Sequence, residues 1–299
     1  MRIKYALPAL AAVAVLVLAG CVDNSTPGAG GPADGSPASD VMKDDAAAAL
    51  LPDAIAESGT LIVGTDAEYP PNESKDEAGA PIGWGIDIAN AIAVKLGLTA
   101  EFKISKFDNI IPSITGGTVD IGESSFTDTV EREKQVDFVN YYTAGIQWAS
   151  ATGNDVDPDN ACGLKVAVQS TTYEDTDEVP AKSDACVAAG HPAIEKVKFD
   201  TQDLATTAVV LGQADAMSAD SPVTLYAIAQ NEGKLQAAGT SFDVAPYGIA
   251  VAKDSGMAEA VQAALQSMVD DGSYEKILEA WGVADGGIDT ITINAAANG

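Results

Sequence analysis

Short apolar runs alternate with helical stripes along most of the chain. Residues 61–65 read as a strand that ends at a loop. Residues 86–96 carry apolar side chains at 86, 88, 89, 92, 93 and 96, the spacing of one helix face, and Gly97 stops the pattern. Residues 102–104 predict a strand, 107–114 a helix ended by Gly116-Gly117, and 119–121 another strand. The alternation restarts with strands at 164–168, 197–199 and 214–217, and helices at 184–189, 201–211 and 222–229. Strands separated by helices imply a parallel sheet covered by helices. Two extended runs, 144–152 and 247–252, pass between the halves, and a closing helix is expected at 257–269. The reading is an α/β protein of two lobes, joined by two crossing strands, with a cleft between them. One continuous sheet is the alternative.

Composition narrows the chemistry. The 299 residues carry 16 Lys+Arg against 44 Asp+Glu, a formal net charge of -28, and 46% are hydrophobic. That apolar share is globular. There is no basic surface to neutralise phosphates or to hold anionic lipid, so nucleic acid is excluded as a partner. The one histidine, His191, precedes Pro192 in a turn signal and reads as a surface loop residue. A Ser-His-Asp triad would have to use it, and no His/Cys cluster has zinc spacing. Neither a metal nor a cofactor is expected.

Residues 1–20 have a basic start, Arg2 and Lys4, then an apolar run from 6 to 19, a secretory signal too short to span a bilayer comfortably. Leu18-Ala19-Gly20-Cys21 resembles the lipobox of bacterial lipoproteins, which implies cleavage before Cys21 and lipidation of its thiol. Residues 21–49, rich in Gly, Pro, Ser, Asp and Ala, read as a flexible tether, with a reach of roughly 25–30 Å for its disordered part. Lobe 1 is expected over 50–146, lobe 2 over 147–244, and a return to lobe 1 with a C-terminal segment over 245–299. With Cys21 lipidated, Cys162 and Cys186 remain as an even pair in an oxidising compartment, and a disulfide between them is expected.

Only Arg2 and Arg132 are arginines, so one remains after the leader. Guanidinium is the one cationic side chain whose planar fork matches a carboxylate with two hydrogen bonds. Arg132 follows Ser124-Ser125-Phe126-Thr127-Asp128-Thr129, just beyond the strand at 119–121. Open α/β sheets bind ligands beyond the carboxyl ends of their strands. The hydroxyls and amides of that loop would complete an anion site at a helix start. A local ion pair of Arg132 with Glu131 or Asp128 is the plainer alternative.

An ordered series of motifs resembles the extracellular solute-binding proteins of polar amino acid ABC importers. It comprises Gly64-Thr65-Asp66-Ala67-Glu68-Tyr69-Pro70-Pro71, Gly83-Trp84-Gly85-Ile86-Asp87, Phe107-Asp108-Asn109-Ile110-Ile111-Pro112 and Ser125-Phe126-Thr127-Asp128-Thr129 with Arg132. Gln169-Ser170-Thr171-Thr172, Asp220, Ala245-Pro246-Tyr247-Gly248 and Trp281-Gly282 follow in order. The resemblance runs from about Thr60 to Trp281. It implies a type II periplasmic-binding-protein fold in which Arg132, helped by Thr127 and Thr172, grips a substrate α-carboxylate. Asp220, helped by Ser125, would take the α-ammonium.

In basic amino acid binders of this kind, positions matching Tyr69 and Trp84 sandwich the side chain, and an acid matching Asp66 meets its distal cation. Aromatic faces beside a carboxylate favour a cationic tail. Lys75 and Lys106 are the nearby candidate cations, so an acidic ligand side chain is disfavoured. Gly85 stands where the family usually has an acid, and Asn72 where an aromatic is common. The implied protein is a monomeric, lipid-anchored receptor on the outer face of the membrane, handing an amino acid to an ABC permease, with no catalysis of its own. The runner-up is an exported enzyme resembling cyclohexadienyl dehydratases, which would need a general acid from Glu68, Glu123 or Asp128.

Overall fold

The computed structural model describes residues 40–298; the leader, Cys21 and residues 22–39 of the expected tether lie outside them. In chain order the strands are β1 (Thr60–Thr65), β2 (Ser74–Lys75), β3 (Pro81–Ile82), β4 (Thr99–Ile104), β5 (Ile121–Gly122), β6 (Val136–Ala151), β7 (Lys165–Gln169), β8 (Glu195–Phe199), β9 (Ala216–Asp220), β10 (Leu235–Ala252) and β11 (Gly287–Ile293). The helices are α1 (Asp45–Ala48), α2 (Asp53–Ser58), α3 (Trp84–Lys95), α4 (Ile110–Thr115), α5 (Val179–Ala188), α6 (Gln202–Val210), α7 (Ser221–Gln230), α8 (Met257–Asp271), α9 (Ser273–Trp281) and α10 (Ala295–Asn298).

The strands run β4-β1-β5-β10-β6-β9-β7-β8, with β11 added on β6. β1 lies parallel to β4 and β5, and β7 lies parallel to β8 and β9. The two long strands, β6 and β10, run antiparallel to one another and serve both groups. The hydrogen-bonded ladder is therefore one sheet, yet the apolar packing divides in two. Ala144 and Tyr247 belong to one core with Trp84, Ile88 and Leu265, whereas Ile146 and Phe242 pack into another with Trp148, Val166 and Val179. The division falls on β6 and β10, where Phe242 and Ala245 sit on either side of register shifts. A sheet whose two ends bury separate cores on shared strands is a two-lobed fold with a hinge.

In lobe 1, Ile88 and Ile92 on α3 and Leu96 at its C-terminal cap recur at four-residue spacing and are all but inaccessible. Burying such side chains contributes about 1.5–3 kcal/mol each. The Val63↔Ile121 and Gly64↔Gly122 register puts the ends of β1 and β5 side by side. Ser124 Oγ consequently accepts from the Asp66 amide at 3.0 Å, tying the two loops that follow.

Residues 40–49 differ from the expected tether. Val41 and Ala47 are buried in the lobe 1 core, the Asp44 amide donates to the Lys95 carbonyl at 2.9 Å, and Ser267 Oγ donates to Asp44 Oδ2 at 2.6 Å. Asp44 also caps α1 through the amides of Ala46 and Ala47. An alanine run reads as featureless in sequence, but this cap and a greasy slot against α3 and α8 suffice to fix it. Within the C-terminal segment, β11 pairs with β6 beyond α9, and Asn294 just after it bonds Phe138 and Asp137 through its side chain.

Cys162 and Cys186 form a disulfide that ties the loop before β7 to α5 across a sequence separation of 24 residues. His191 lies in the exposed turn after α5. In the chain-entropy model a loop of this length contributes about 3–4 kcal/mol. The double substitution Cys162→Ser, Cys186→Ser is therefore expected to lower Tm by several degrees while leaving far-UV circular dichroism at 25 °C unchanged. An unaltered Tm would show that the bridge adds nothing to the fold.

Candidate functional site

Both lobes place strand ends at the interlobe cleft. From lobe 1 come Asp66 and Tyr69 after β1, Ser124, Ser125 and Thr127 after β5, Phe107 and Arg132. From lobe 2 come Gln169, Thr172, Tyr173 and Glu174 after β7, and Asp220 at the end of β9. They close on one another around a narrow cleft with about 10 Å³ of free room between them. Of the eight residues expected here, seven line this cleft: Asp66, Tyr69, Ser125, Thr127, Arg132, Thr172 and Asp220.

Trp84 does not. It is fully buried in the lobe 1 core, with its ring 4.7 Å from that of Tyr142 and stacked at 6.4 Å on Tyr247. Its Nε1 donates to Asn72 Oδ1 at 2.8 Å. Trp84 opens α3 and faces the sheet, because the loop before it is pinned: a Cβ on Gly83, at φ +134°, would lie 2.0 Å from the Asn72 carbonyl. The aromatic contributions to the cleft are instead Tyr69, Phe107 and Tyr173. Phe107 stood in a quoted motif without a role, as did Gln169. Tyr173 and Glu174 had no sequence signal beyond their place after Thr172.

Arg132 lies half-buried over two aromatic faces, 5.5 Å from the Phe107 ring centre and 5.7 Å from that of Phe126. Its Nη1 donates to the Thr127 carbonyl at 2.7 Å and its Nη2 to the Thr171 carbonyl, across the cleft, at 2.9 Å. It begins a single 3-10 turn, Arg132–Lys134, so the α-helix start expected there is absent. A local ion pair is absent too, since Glu131 pairs with Lys134 and Asp128 accepts from Asn140.

Three more contacts cross between lobes. Tyr69 Oη donates to Asp220 Oδ2 at 2.7 Å, Gln169 Nε2 donates to Asp66 Oδ2 at 2.7 Å, and Lys106 pairs with Asp200 at the rim. Lys75 pairs with Glu68 outside the cleft. The loops that aim these groups hold two non-glycine residues in the left-handed region, Ser125 at φ 50° and Thr171 at φ 67°. Such conformations persist only where the surroundings dictate them. Thr171 is held by its amide's bond to Asp175 Oδ2 at 2.8 Å, and Asp175 is fixed in turn by Lys196 and Lys198, each at 2.8 Å.

The electrostatics are lopsided: one guanidinium faces three buried carboxyls. Burial pushes Asp66 up to about 6, against the Gln169 amide, and Asp220 up to about 6, against the Tyr69 hydroxyl and Arg132. Burial and then the Asp220 charge hold Glu174 well above the carboxylate range. Glu174 Oε1 has no hydrogen-bond partner. Such a cleft favours a ligand that brings positive charge along with a group for Arg132. The acids nominated for an enzyme are elsewhere: Glu123 is buried behind the cleft, Asp128 is bonded to Asn140, and Glu68 to Lys75.

Two lobes on shared crossing strands, with opposed charged groups meeting between them, define a solute receptor of the periplasmic-binding class. Residues 61–284 match the family described as bacterial extracellular solute-binding proteins, family 3, and the chain belongs to it. The arginine-binding protein ArgT of Corynebacterium glutamicum is 42% identical over 248 residues, 82% of each chain. The ABC transporter glutamine-binding protein GlnH of Bacillus subtilis is 29% identical over 94% of this chain and 97% of its own. Among solved structures, an ancestral arginine-binding protein bound to arginine superposes with a TM-score of 0.69 at 38% identity. It covers 75% of this chain and 98% of that one.

Burial also raises Glu178 to about 7 and Glu123 to about 8. With Asp66 and Asp220, these groups keep a proton in the folded chain at pH values where the unfolded chain has lost it. The native state then binds more protons, so stability falls as pH rises from about 4.5 to 8. Asp137, Asp175 and Asp271 are held low, and their contribution is lost only in acid, below their ordinary value of 3.8. Tm is expected to be highest near pH 5 and to decline to pH 8, with Glu123→Gln flattening the upper part of the decline. A Tm that is level or rising across that window would contradict the assignment.

Proposed function

We propose that this protein captures an α-amino acid with a cationic side chain outside the cell and delivers it to an ABC import permease. It would be a monomer, held at the membrane by a lipid on Cys21. The observation that carries the reading is that Arg132 and three carboxyls, Asp66, Glu174 and Asp220, line one cleft fed by both lobes. Arg132, with Thr127 and Thr172, would take the α-carboxylate, and Asp220 with Ser125 the α-ammonium. Asp66 would meet the distal cation, with Tyr69 and Phe107 as the aromatic faces in place of Trp84. Each charged hydrogen bond is worth about 1.5–3 kcal/mol, and because the partners sit on different lobes, a zwitterion would hold the cleft shut. Two of the three relatives named above are arginine binders, which supports a guanidinium tail. Lipidation rests on the lipobox around Cys21, and no described helix is long and apolar enough to cross a membrane.

Thermal shift of the purified protein against the common amino acids, ornithine, citrulline and prephenate tests this. A ligand at 100 times its Kd adds about 2.7 kcal/mol, so a cognate amino acid raises Tm by several degrees. Arginine, lysine or ornithine is expected to give the largest shift, Arg132→Ala to abolish it, and Asp66→Asn to weaken it by roughly tenfold in affinity. A neutral amino acid as sole stabiliser would overturn the cationic pocket. A response to prephenate alone would favour the dehydratase-like reading.

A further inference from the structure

Behind the cleft, fully buried polar side chains form a directed chain that ends on Ser125. Trp84 Nε1 donates to Asn72 Oδ1 at 2.8 Å, which fixes the Asn72 amide with its nitrogen turned the other way. Asn72 Nδ2 then donates to Ser125 Oγ at 2.9 Å, and Ser125 Oγ donates to Glu73 Oε1 at 2.9 Å. The serine has one hydroxyl proton, and Glu73 receives it. One lone pair is used by Asn72, so what Ser125 Oγ can still offer the cleft it lines is its second lone pair.

The end of this chain is itself held. A Cβ on Gly85 would lie 2.4 Å from Glu73 Oε1 and 2.5 Å from Glu123 Oε1, so the absent side chain leaves the space that both carboxyls occupy. Glu123 Oε1 accepts from Tyr141 Oη at 2.7 Å, and Oε2 of each acid is buried with no hydrogen-bond partner. Two carboxyls together in a dry core share a proton rather than both ionise. Burial holds Glu73 well above the carboxylate range, with the Glu123 charge adding to it.

We propose that Glu73, braced by Glu123 in the space Gly85 leaves, and Asn72, braced by Trp84, are positioning residues that hold the Ser125 hydroxyl as an acceptor toward a ligand ammonium group. This rests on the amino acid reading above and adds to it. A hydroxyl free to rotate would turn its proton toward the cleft and oppose a cation; the relay removes that option. Trp84 thus acts on the ligand through Asn72 and Ser125, two side chains away.

The test is calorimetric titration of the full chain with L-arginine and with 5-guanidinopentanoic acid, which lacks only the α-ammonium. Glu73→Leu removes the acceptor and is expected to weaken L-arginine roughly tenfold, while changing the affinity of the des-amino acid less than threefold. Glu73→Gln keeps an acceptor for Ser125 and an amide for Glu123, and recovers L-arginine affinity to within about threefold of the wild type. Should Glu73→Leu not fold, Glu73→Met, closer in length to the native side chain and still without an acceptor for the hydroxyl, carries the same expectation for both ligands. Unchanged L-arginine affinity in these variants, or an equal loss for both ligands, overturns the relay and leaves these residues with a structural role alone. Failure of the wild-type protein to bind any amino acid would instead overturn the functional reading on which the relay rests.

Discussion

The interlobe cleft depends on how a guanidinium in limited solvent is balanced. Arg132 stacks on Phe107 and Phe126, donates to a carbonyl on each side, and sits among carboxyls that burial makes reluctant to ionise. The fixed charges alone do not cancel: Asp66, Glu174 and Asp220 outnumber the one cation, and burial raises the proton affinity of all three. A ligand with a carboxylate for Arg132 and cationic groups for the acids would reduce this imbalance. The direct Tyr69–Asp220 and Gln169–Asp66 contacts show that the same groups also complement one another across the cleft.

The hinge explains how groups so far apart in sequence meet. β6 and β10 are long enough to carry a core at each end, and the interruption of their register falls where one core gives way to the other. β11 stiffens the lobe 1 half of this pair. Beyond it, the α10 amides of Ala295 and Ala296 bond to Asn140 and Asp128, linking the C-terminal segment to the loop between Thr127 and Arg132. The family match ends at residue 284, so this strap is built by sequence beyond it. It anchors the arginine loop to the hinge strand rather than to solvent.

Trp84 shows where motif reading and geometry part. The family resemblance implies a place for this residue beside the ligand, and its ring is large enough to sandwich a side chain. Here α3 begins at Trp84 and turns that ring inward against Tyr142 and Tyr247. Gly85, read in sequence as a missing acid, marks the place that the side chains of Glu73 and Glu123 fill instead. Carboxyls reach this place from other parts of the backbone, an arrangement that linear spacing cannot express.

Most of the cleft residues came from the ordered motifs that resemble a known family. Local pattern determined instead the alternation of strands and helices and the cysteine pair, because periodicity and turn residues mark the elements. It also singled out Arg132, since an arginine that is alone in the folded chain has few structural explanations. Tertiary structure alone decided the rest. Residues 40–49 look like linker until Asp44 finds Ser267 and the Lys95 carbonyl, contacts more than forty residues away. Glu174 and Tyr173 enter the cleft through the π-turn Glu174–Glu178, whose geometry no short-range signal announces. The direction of the Ser125 hydroxyl depends on four residues spread from Asn72 to Glu123. Sequence records which side chains are available, but which of them share a buried proton is set by where the backbone brings them together.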